Sequence, residues 1–262
     1  MNMVTQPIAN NAATDIFADL DAKSIALLLD VDGTLIDIAP SPNEVHVAED
    51  LRDSLARLTR ATSGALALVS GRPIADLDAL FAPLKLPAIG GHGAELRLRG
   101  GEVLLMAKPL PELMRQWLAS ASTPGSGILV EDKGYSFALH YRAAPQDAAR
   151  LRTLVEQGCV AFPGELVEIL SGKAVLEVKR PNVSKGDGVR ELMSHPPFAG
   201  RMPVFIGDDV TDESVFAVLA DLGGKGFSVG RHFADLSGIF DSPIDVRRAL
   251  QRLASNGQVR RS

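Results

Sequence analysis

The stretch Ile25-Ala26-Leu27-Leu28-Leu29-Asp30-Val31-Asp32-Gly33-Thr34 decides the fold. Five consecutive apolar residues run straight into two aspartates. A short unbroken apolar run that ends in polar residues reads as a strand buried on both faces, the habit of parallel sheets. The pattern recurs at residues 65–69, which end in Ser70-Gly71-Arg72, and at residues 203–206, which end in Gly207-Asp208-Asp209. A helical pattern follows each run. After the first come Leu51, Leu55 and Leu58; after the second, Pro73 with Ile74, Leu77, Leu80 and Phe81. After the third, Thr211 reads as an N-cap with Asp212 and Glu213 in the first turn, ahead of Val215, Phe216 and Leu219. Strands alternating with helices predict an α/β core, a doubly wound parallel sheet of Rossmann-like type.

The middle of the chain follows another pattern. Lys108-Pro109-Leu110-Pro111 reads as a linker, and a helix carrying Leu113, Trp117 and Leu118 follows. Residues 128–131 and 135–141 form a hairpin around Asp132-Lys133-Gly134. A second helix carries Ala148, Leu151, Leu154 and Val155. Residues 166–170 and 174–178 form a second hairpin around Ser171-Gly172-Lys173, and Pro181 closes the segment. The expectation is therefore an inserted α+β domain at residues 109–181, within a core made of 1–108 and 182–262.

Composition narrows the function. The 262 residues carry a net charge of -5, with a pI near 5.6. That balance argues against a nucleic-acid partner, because phosphate backbones need clustered Lys and Arg. It allows a small phosphate substrate, since one metal ion and a few cations reverse the sign of a single pocket. The lone Cys159, between Gly158 and Val160, excludes an intramolecular disulfide and reads as a small buried residue rather than a reactive thiol. No run of about 18 apolar residues is present, so no membrane span is expected. Residues 1–14 have no Lys or Arg and no apolar stretch; they read as a frayed start, not a signal peptide. The expected setting is the cytoplasm. Gly223-Gly224-Lys225-Gly226 and the basic end at Arg260-Arg261 read as surface features. Oligomeric state is not legible.

Ligands of open α/β sheets bind beyond the carboxyl ends of the strands. Asp30 and Asp32 stand there. With a strand's period of two they would share a face, and Gly33 would let the chain turn tightly. Two such close carboxylates repel unless a cation lies between them or one keeps a proton. Asp208 and Asp209 end another strand, and oxygen-rich carboxylate sites suit Mg²⁺. A helix dipole accounts for Asp212 and Glu213, but not for two strands that both end in paired aspartates. Ser70 with Gly71 could hold an anion at a strand-to-helix turn, although a serine there also serves as a cap. Lys185 follows Ser184, the N-cap of a helix through Val189, Leu192 and Met193. A lysine in a first turn opposes the dipole, so a buried anion beside it and a solvated surface position are both open.

These strand-end groups, in this order, resemble the haloacid-dehalogenase superfamily of phosphohydrolases: Asp30 to Thr34, Ser70, Lys185, then Asp208-Asp209. The resemblance implies that Asp30 attacks phosphorus and that Asp32 protonates the leaving oxygen and later deprotonates water. It implies Mg²⁺ held by Asp30, the backbone carbonyl of Asp32 and Asp208, with Asp209 and Asp212 around them. Ser70, Gly71 and Lys185 would bind the phosphoryl oxygens. An insertion between the Ser70 and Lys185 motifs would be a cap that covers the crevice and selects the substrate.

Further strings are similar to the trehalose-6-phosphate phosphatases within that superfamily. They are residues 91–95 around His92, Glu131-Asp132-Lys133-Gly134, Phe137-Ala138-Leu139-His140-Tyr141-Arg142, residues 172–179 around Glu177, and residues 207–213. This resemblance runs from about Leu27 to Gly230. It implies hydrolysis of a sugar phosphate and hydrogen bonds from Glu131, Lys133 and Glu177 to the glucose ring that lacks phosphate. Taken as bare sequence, Glu131 and Lys133 also fit exposed hairpin-tip charges, and Glu177 an outward strand position. Arg72, Arg142 and His92 are further candidate substrate contacts, with solvated or structural roles equally open. His46, His140 and His195 show no metal-ligand spacing and receive no role. Rival readings are phosphatases for sucrose 6-phosphate or mannosyl-3-phosphoglycerate, a phosphomannomutase, and a non-catalytic sugar-phosphate binding module. The last predicts loss of Asp30, Asp32 or Lys185, and all three are present.

Overall fold

β1 (Ile25–Leu29) is buried at every position, and its alternating side chains feed two cores. Ile25, Leu27 and Leu29 belong to one apolar cluster; Ala26 and Leu28 belong to another. Successive side chains of a strand point to opposite faces, so a strand clad by helices on both sides must be apolar throughout. A computed structural model describes residues 9–38, 46–172, 174–181 and 183–259. The chain divides into two compact units, Met1–Met106 with Ser184–Ser262, and Ala107–Val183.

In the first unit the other strands are β2 (Leu66–Val69), β3 (Ala88–Gly90), β4 (Glu95–Arg97) and β5 (Val103–Leu105), then β10 (Met202–Gly207), β11 (Lys225–Val229) and β12 (Gly238–Phe240). They form one sheet in the order β12-β11-β10-β1-β2-β3-β4-β5. The six strands from β12 to β3 are parallel; β4 and β5 add an antiparallel edge. The predicted parallel sheet is thus present, with that edge in addition. From β1 the chain winds one way to β2 and β3, then returns on the other side through β10, β11 and β12. The reversal lies between β1 and β10, where open sheets leave a crevice at their carboxyl ends.

One face of this sheet carries α1 (Ala9–Ala18), α2 (Glu49–Ala61), α3 (Ile74–Phe81) and α8 (Pro243–Val259), through residues such as Phe17, Leu55, Phe81 and Leu250. The other carries α6 (Lys185–Met193) and α7 (Glu213–Asp221), through Val189, Leu192, Val215 and Leu219. Two sequence expectations change here. The segment from Ala9 is helical rather than frayed, because Phe17 packs edge-on against Phe227 and Phe240, at ring distances of 5.6 and 6.0 Å. Lys225 and Gly226 begin a sheet strand with Gly226 buried, so they are not a surface loop. Arg260, Arg261 and Lys173 lie outside the described residues.

The second unit has four strands, β6 (Leu129–Asp132), β7 (Ser136–His140), β8 (Glu168–Gly172) and β9 (Val175–Lys179). All pairs are antiparallel, in the order β6-β7-β9-β8. Its helices α4 (Glu112–Ala119) and α5 (Ala148–Ala161) share a core with Phe137, Leu139, Leu176 and Val178. Trp117 on α4 donates its Nε1–H to the Leu154 carbonyl on α5, 3.1 Å away. Cys159 on α5 is only partly buried, packed at the rim of this core, and burial raises its thiol pKa. That shift lowers the share of thiolate, the nucleophilic form.

Candidate active site

β1 ends at Leu29, and the next seven residues form a tight turn in which the N–H groups of Leu35 and Ile36 donate to the Val31 carbonyl, at 2.9 and 3.1 Å. Gly33 takes φ +83°, and a Cβ there would lie 2.2 Å from Oδ2 of Asp208. Only glycine suits both the left-handed backbone and that approach. Thr34, fully buried, donates its hydroxyl to Oδ1 of Asp208 at 3.2 Å. The first motif therefore carries the fourth on its turn.

Lys185 opens α6, directly after Ser184, whose reciprocal bonds with Asp187 form a capping box. Its Nζ donates to Oδ1 of Asp30 and to Oδ1 of Asp212, each at 2.7 Å, and the lysine side chain is 4% exposed. The two carboxylates offset the cost of a cation at a helix N-terminus. Asp212 is not a solvated helix-start acid. It is fully buried, and its Oδ2 accepts the N–H groups of Asp208 and Asp209 at 2.9 and 3.0 Å. The turn at Val210–Asp212 is capped by Asp209, not by Thr211. The Asp209 carboxylate is mostly exposed and lies 3.8 Å from Arg231.

Carboxylate oxygens of Asp30, Asp208 and Asp212 lie within 4.8 Å of one another. Burial pushes the Asp30 carboxyl up to about 6 against the pull of Lys185, with the Asp208 charge adding to the rise. Burial, then the charge of Asp30, pushes Asp212 up to about 6. Burial also raises Asp208. Lys185 would be lowered by burial alone, but the charges of Asp30 and Asp212 outweigh that and raise it. The three carboxylates and the Lys185 ammonium, which pairs with two of them, sum to two negative charges when all are ionised. A hard divalent cation with oxygen ligands fits both that charge and that donor set.

Asp32 has a partner of its own. Its two oxygens accept Nε and Nη2 of Arg72, both at 2.7 Å, in a bidentate pair. Asp30 and Asp32, just past the end of β1 at Leu29, thus take different partners, Lys185 and Arg72. Ser70 is buried, and its Oγ accepts the Arg72 N–H at 3.1 Å. At Gly71 a Cβ would lie 2.4 Å from the His92 imidazole. The lack of a side chain there lets the half-buried ring of His92 rest against the Ser70-Gly71 turn.

In the second unit, Lys133 Nζ lies 3.5 Å from Glu131 and 4.0 Å from Glu177. His140, given no role from sequence, approaches the other oxygen of Glu131 at 3.2 Å. Arg142 follows β7 at an exposed position.

Asp30, Lys185, Asp208 and Asp212 are thus brought together, with Ser70, Gly71, Arg72, Asp32 and His92 on turns of the same unit. Glu131, Lys133 and Glu177 are brought together on the other unit. Thr34 and His140 are the contacts that sequence reasoning passed over. Thr34 stood inside the quoted motif, but the strand pairing that brings Asp208 beside it was not visible.

The family model described as trehalose-phosphatase matches residues 28–237. The chain is 41% identical over 214 residues to "Trehalose-6-phosphate phosphatase" of Escherichia coli, covering 81% of this chain and 79% of that protein. It is 41% identical over 211 residues to "Probable trehalose-phosphate phosphatase" of Sinorhizobium fredii, covering 80% and 79%. Among solved structures, the C-terminal domain of Candida albicans trehalose-6-phosphate phosphatase superposes with a TM-score of 0.72 over 96% of this chain and 99% of that one. At 21% identity that likeness concerns the fold.

Proposed function

This chain belongs to the trehalose-phosphatase family, and on that premise we propose that it hydrolyses trehalose 6-phosphate to trehalose and phosphate through an aspartyl-phosphate on Asp30. It would act in the cytoplasm on this small substrate, in trehalose biosynthesis, with Mg²⁺ as cofactor. The observation that carries the chemistry is the buried Asp30–Lys185–Asp212 chain beside Asp208 at the sheet reversal. A buried lysine between two carboxylates is an expensive arrangement for a merely structural purpose.

In the first step an Asp30 carboxylate oxygen forms a bond to phosphorus as the bond from phosphorus to the sugar oxygen breaks. Asp32 gives its proton to the departing oxygen. In the second step water attacks phosphorus, Asp32 takes a proton from that water, and the bond to Asp30 breaks. Arg72 grips both Asp32 oxygens through one N–H each, and each oxygen keeps a second lone pair for the proton. Lys185, the Ser70 hydroxyl and the Gly71 N–H stabilise the charge spread over the phosphoryl oxygens. Asp30, Asp208 and the Asp32 carbonyl would hold Mg²⁺, flanked by Asp209 and Asp212, and the ion supplies positive charge against those same oxygens. Glu131, Lys133 and Glu177, with His92 and Arg142 as further contacts, would read the sugar.

Phosphate release from trehalose 6-phosphate, sucrose 6-phosphate, glucose 6-phosphate and mannosyl-3-phosphoglycerate, with Mg²⁺ and with EDTA, tests this reading. A strong Mg²⁺-dependent preference for the first supports both chemistry and substrate. Preference for another keeps Asp30 and Asp32 and discards the sugar assignments. No release from any of them overturns the phosphatase reading for these substrates.

A further inference from the structure

Residues paired across antiparallel strands share a face. In the second unit one row runs Glu131, Ala138, Glu177, Leu170; the adjacent row on the same face runs Leu129, His140, Val175, Gly172. Phe137, Leu139, Leu176 and Val178 fall on the opposite face and form that unit's core. Ala138 puts only a methyl group between Glu131 and Glu177. Diagonal neighbours on such a face are within reach of long side chains, and His140 uses that reach toward Glu131.

The two oxygens of Glu131 are divided between two partners. Lys133 Nζ stands 3.5 Å from Oε1, while His140 Nε2 stands 3.2 Å from Oε2. The histidine contact is the first cause of the lowered Glu131 pKa, burial opposes it, and the Lys133 charge adds to it. A glutamate held by a ring fixed on a strand loses less rotamer freedom when it meets a ligand than one free to turn.

We propose that His140 is a positioning residue for sugar recognition, holding the Glu131 carboxylate in the orientation that receives the substrate's hydroxyl groups. This rests on the reading of Glu131 as a sugar contact. His140 itself touches neither the phosphate nor the reacting atoms. It sets affinity for the disaccharide phosphate, not the rate of phosphoryl transfer.

The test compares His140→Asn, His140→Gln and Glu131→Ala, alone and combined, on trehalose 6-phosphate and on p-nitrophenyl phosphate. His140→Asn should raise KM for trehalose 6-phosphate roughly tenfold, the effect of losing one hydrogen bond to a charged group. The change in kcat should stay within about twofold, since no transition-state contact is lost. His140→Gln, which can offer an N–H at similar reach, should recover part of the loss. Adding His140→Asn to Glu131→Ala should raise KM no further, because His140 acts through Glu131. An unchanged KM, equal losses on both substrates, or additive effects in the double variant would each overturn the proposal. If the wild-type protein itself does not prefer the disaccharide phosphate, the substrate reading fails first, whatever His140 does.

Discussion

Lys185 Nζ lies 2.7 Å from Oδ1 of Asp30, although 155 residues separate the two in sequence. The same nitrogen is equally close to Asp212. Removing one member of a buried ionic group leaves the others uncompensated, which typically costs about 3–5 kcal/mol. Lys185→Met should therefore lower metal-free stability on that scale in denaturant melts, and phosphate release should fall at least a hundredfold, on the order of one lost charge-stabilising donor. A variant of wild-type stability would show that the pairing contributes little to the fold.

Asp30→Asn keeps the shape of the nucleophile and removes its chemistry. Turnover of trehalose 6-phosphate should be abolished while melting remains cooperative and substrate still binds. Residual activity above roughly a tenth of wild type would place the covalent step elsewhere, because loss of a nucleophile ordinarily costs several orders of magnitude.

Asp30 and Asp212 have carboxyls raised to about 6 by burial. For such groups the folded protein binds protons more tightly than the unfolded chain. Their contribution to stability is fully present below the ordinary carboxylate range and is lost as pH rises through about 6. A divalent cation favours the ionised forms and competes with those protons. Mg²⁺ should consequently raise the melting temperature more at pH 7.5 than at pH 5. Equal shifts at both pH values would mean that the ion binds away from these carboxylates.

Gly33→Ala places a Cβ 2.2 Å from Oδ2 of Asp208 at a backbone φ of +83°. The left-handed backbone alone costs about 1–2 kcal/mol in a residue with a side chain. The displaced carboxylate should weaken Mg²⁺ activation as well as stability. Mg²⁺ titration of activity measures this, and an unchanged half-saturation concentration would separate Asp208 from the metal.

Glu131→Ala and Lys133→Ala should impair hydrolysis of trehalose 6-phosphate far more than that of p-nitrophenyl phosphate, which has no sugar to read. The ratio of kcat/KM on the two substrates measures it. Equal losses on both would reduce the Glu131–Lys133–Glu177 cluster to a structural one.

The strands that decide the fold were legible because β1, β2 and β10 are buried on both faces and so carry unbroken apolar runs ending in polar residues. β4, β5 and β12 were not, since three residues each are too few to show a period. β11 was hidden because Gly223-Gly224-Lys225-Gly226 carries turn-forming residues, and its place in the sheet comes from pairing with β10 and β12. The N-terminal helix was missed because Phe17 finds its aromatic partners more than 200 residues later, at Phe227 and Phe240.

By itself the sequence determined the class of sheet and the chemistry held at its strand ends, since both rest on local patterns of apolar runs, carboxylates and glycine. Tertiary structure alone decided the pairings. It set Asp30 and Asp212 on one ammonium, paired Asp32 with Arg72, and put His140 against Glu131. Such pairs are joined by strand register and by turns, whose directions are fixed only when the strands come together. A side chain's partner is then set by what the fold brings within about 3 Å, the hydrogen-bond range, rather than by its neighbours in the chain.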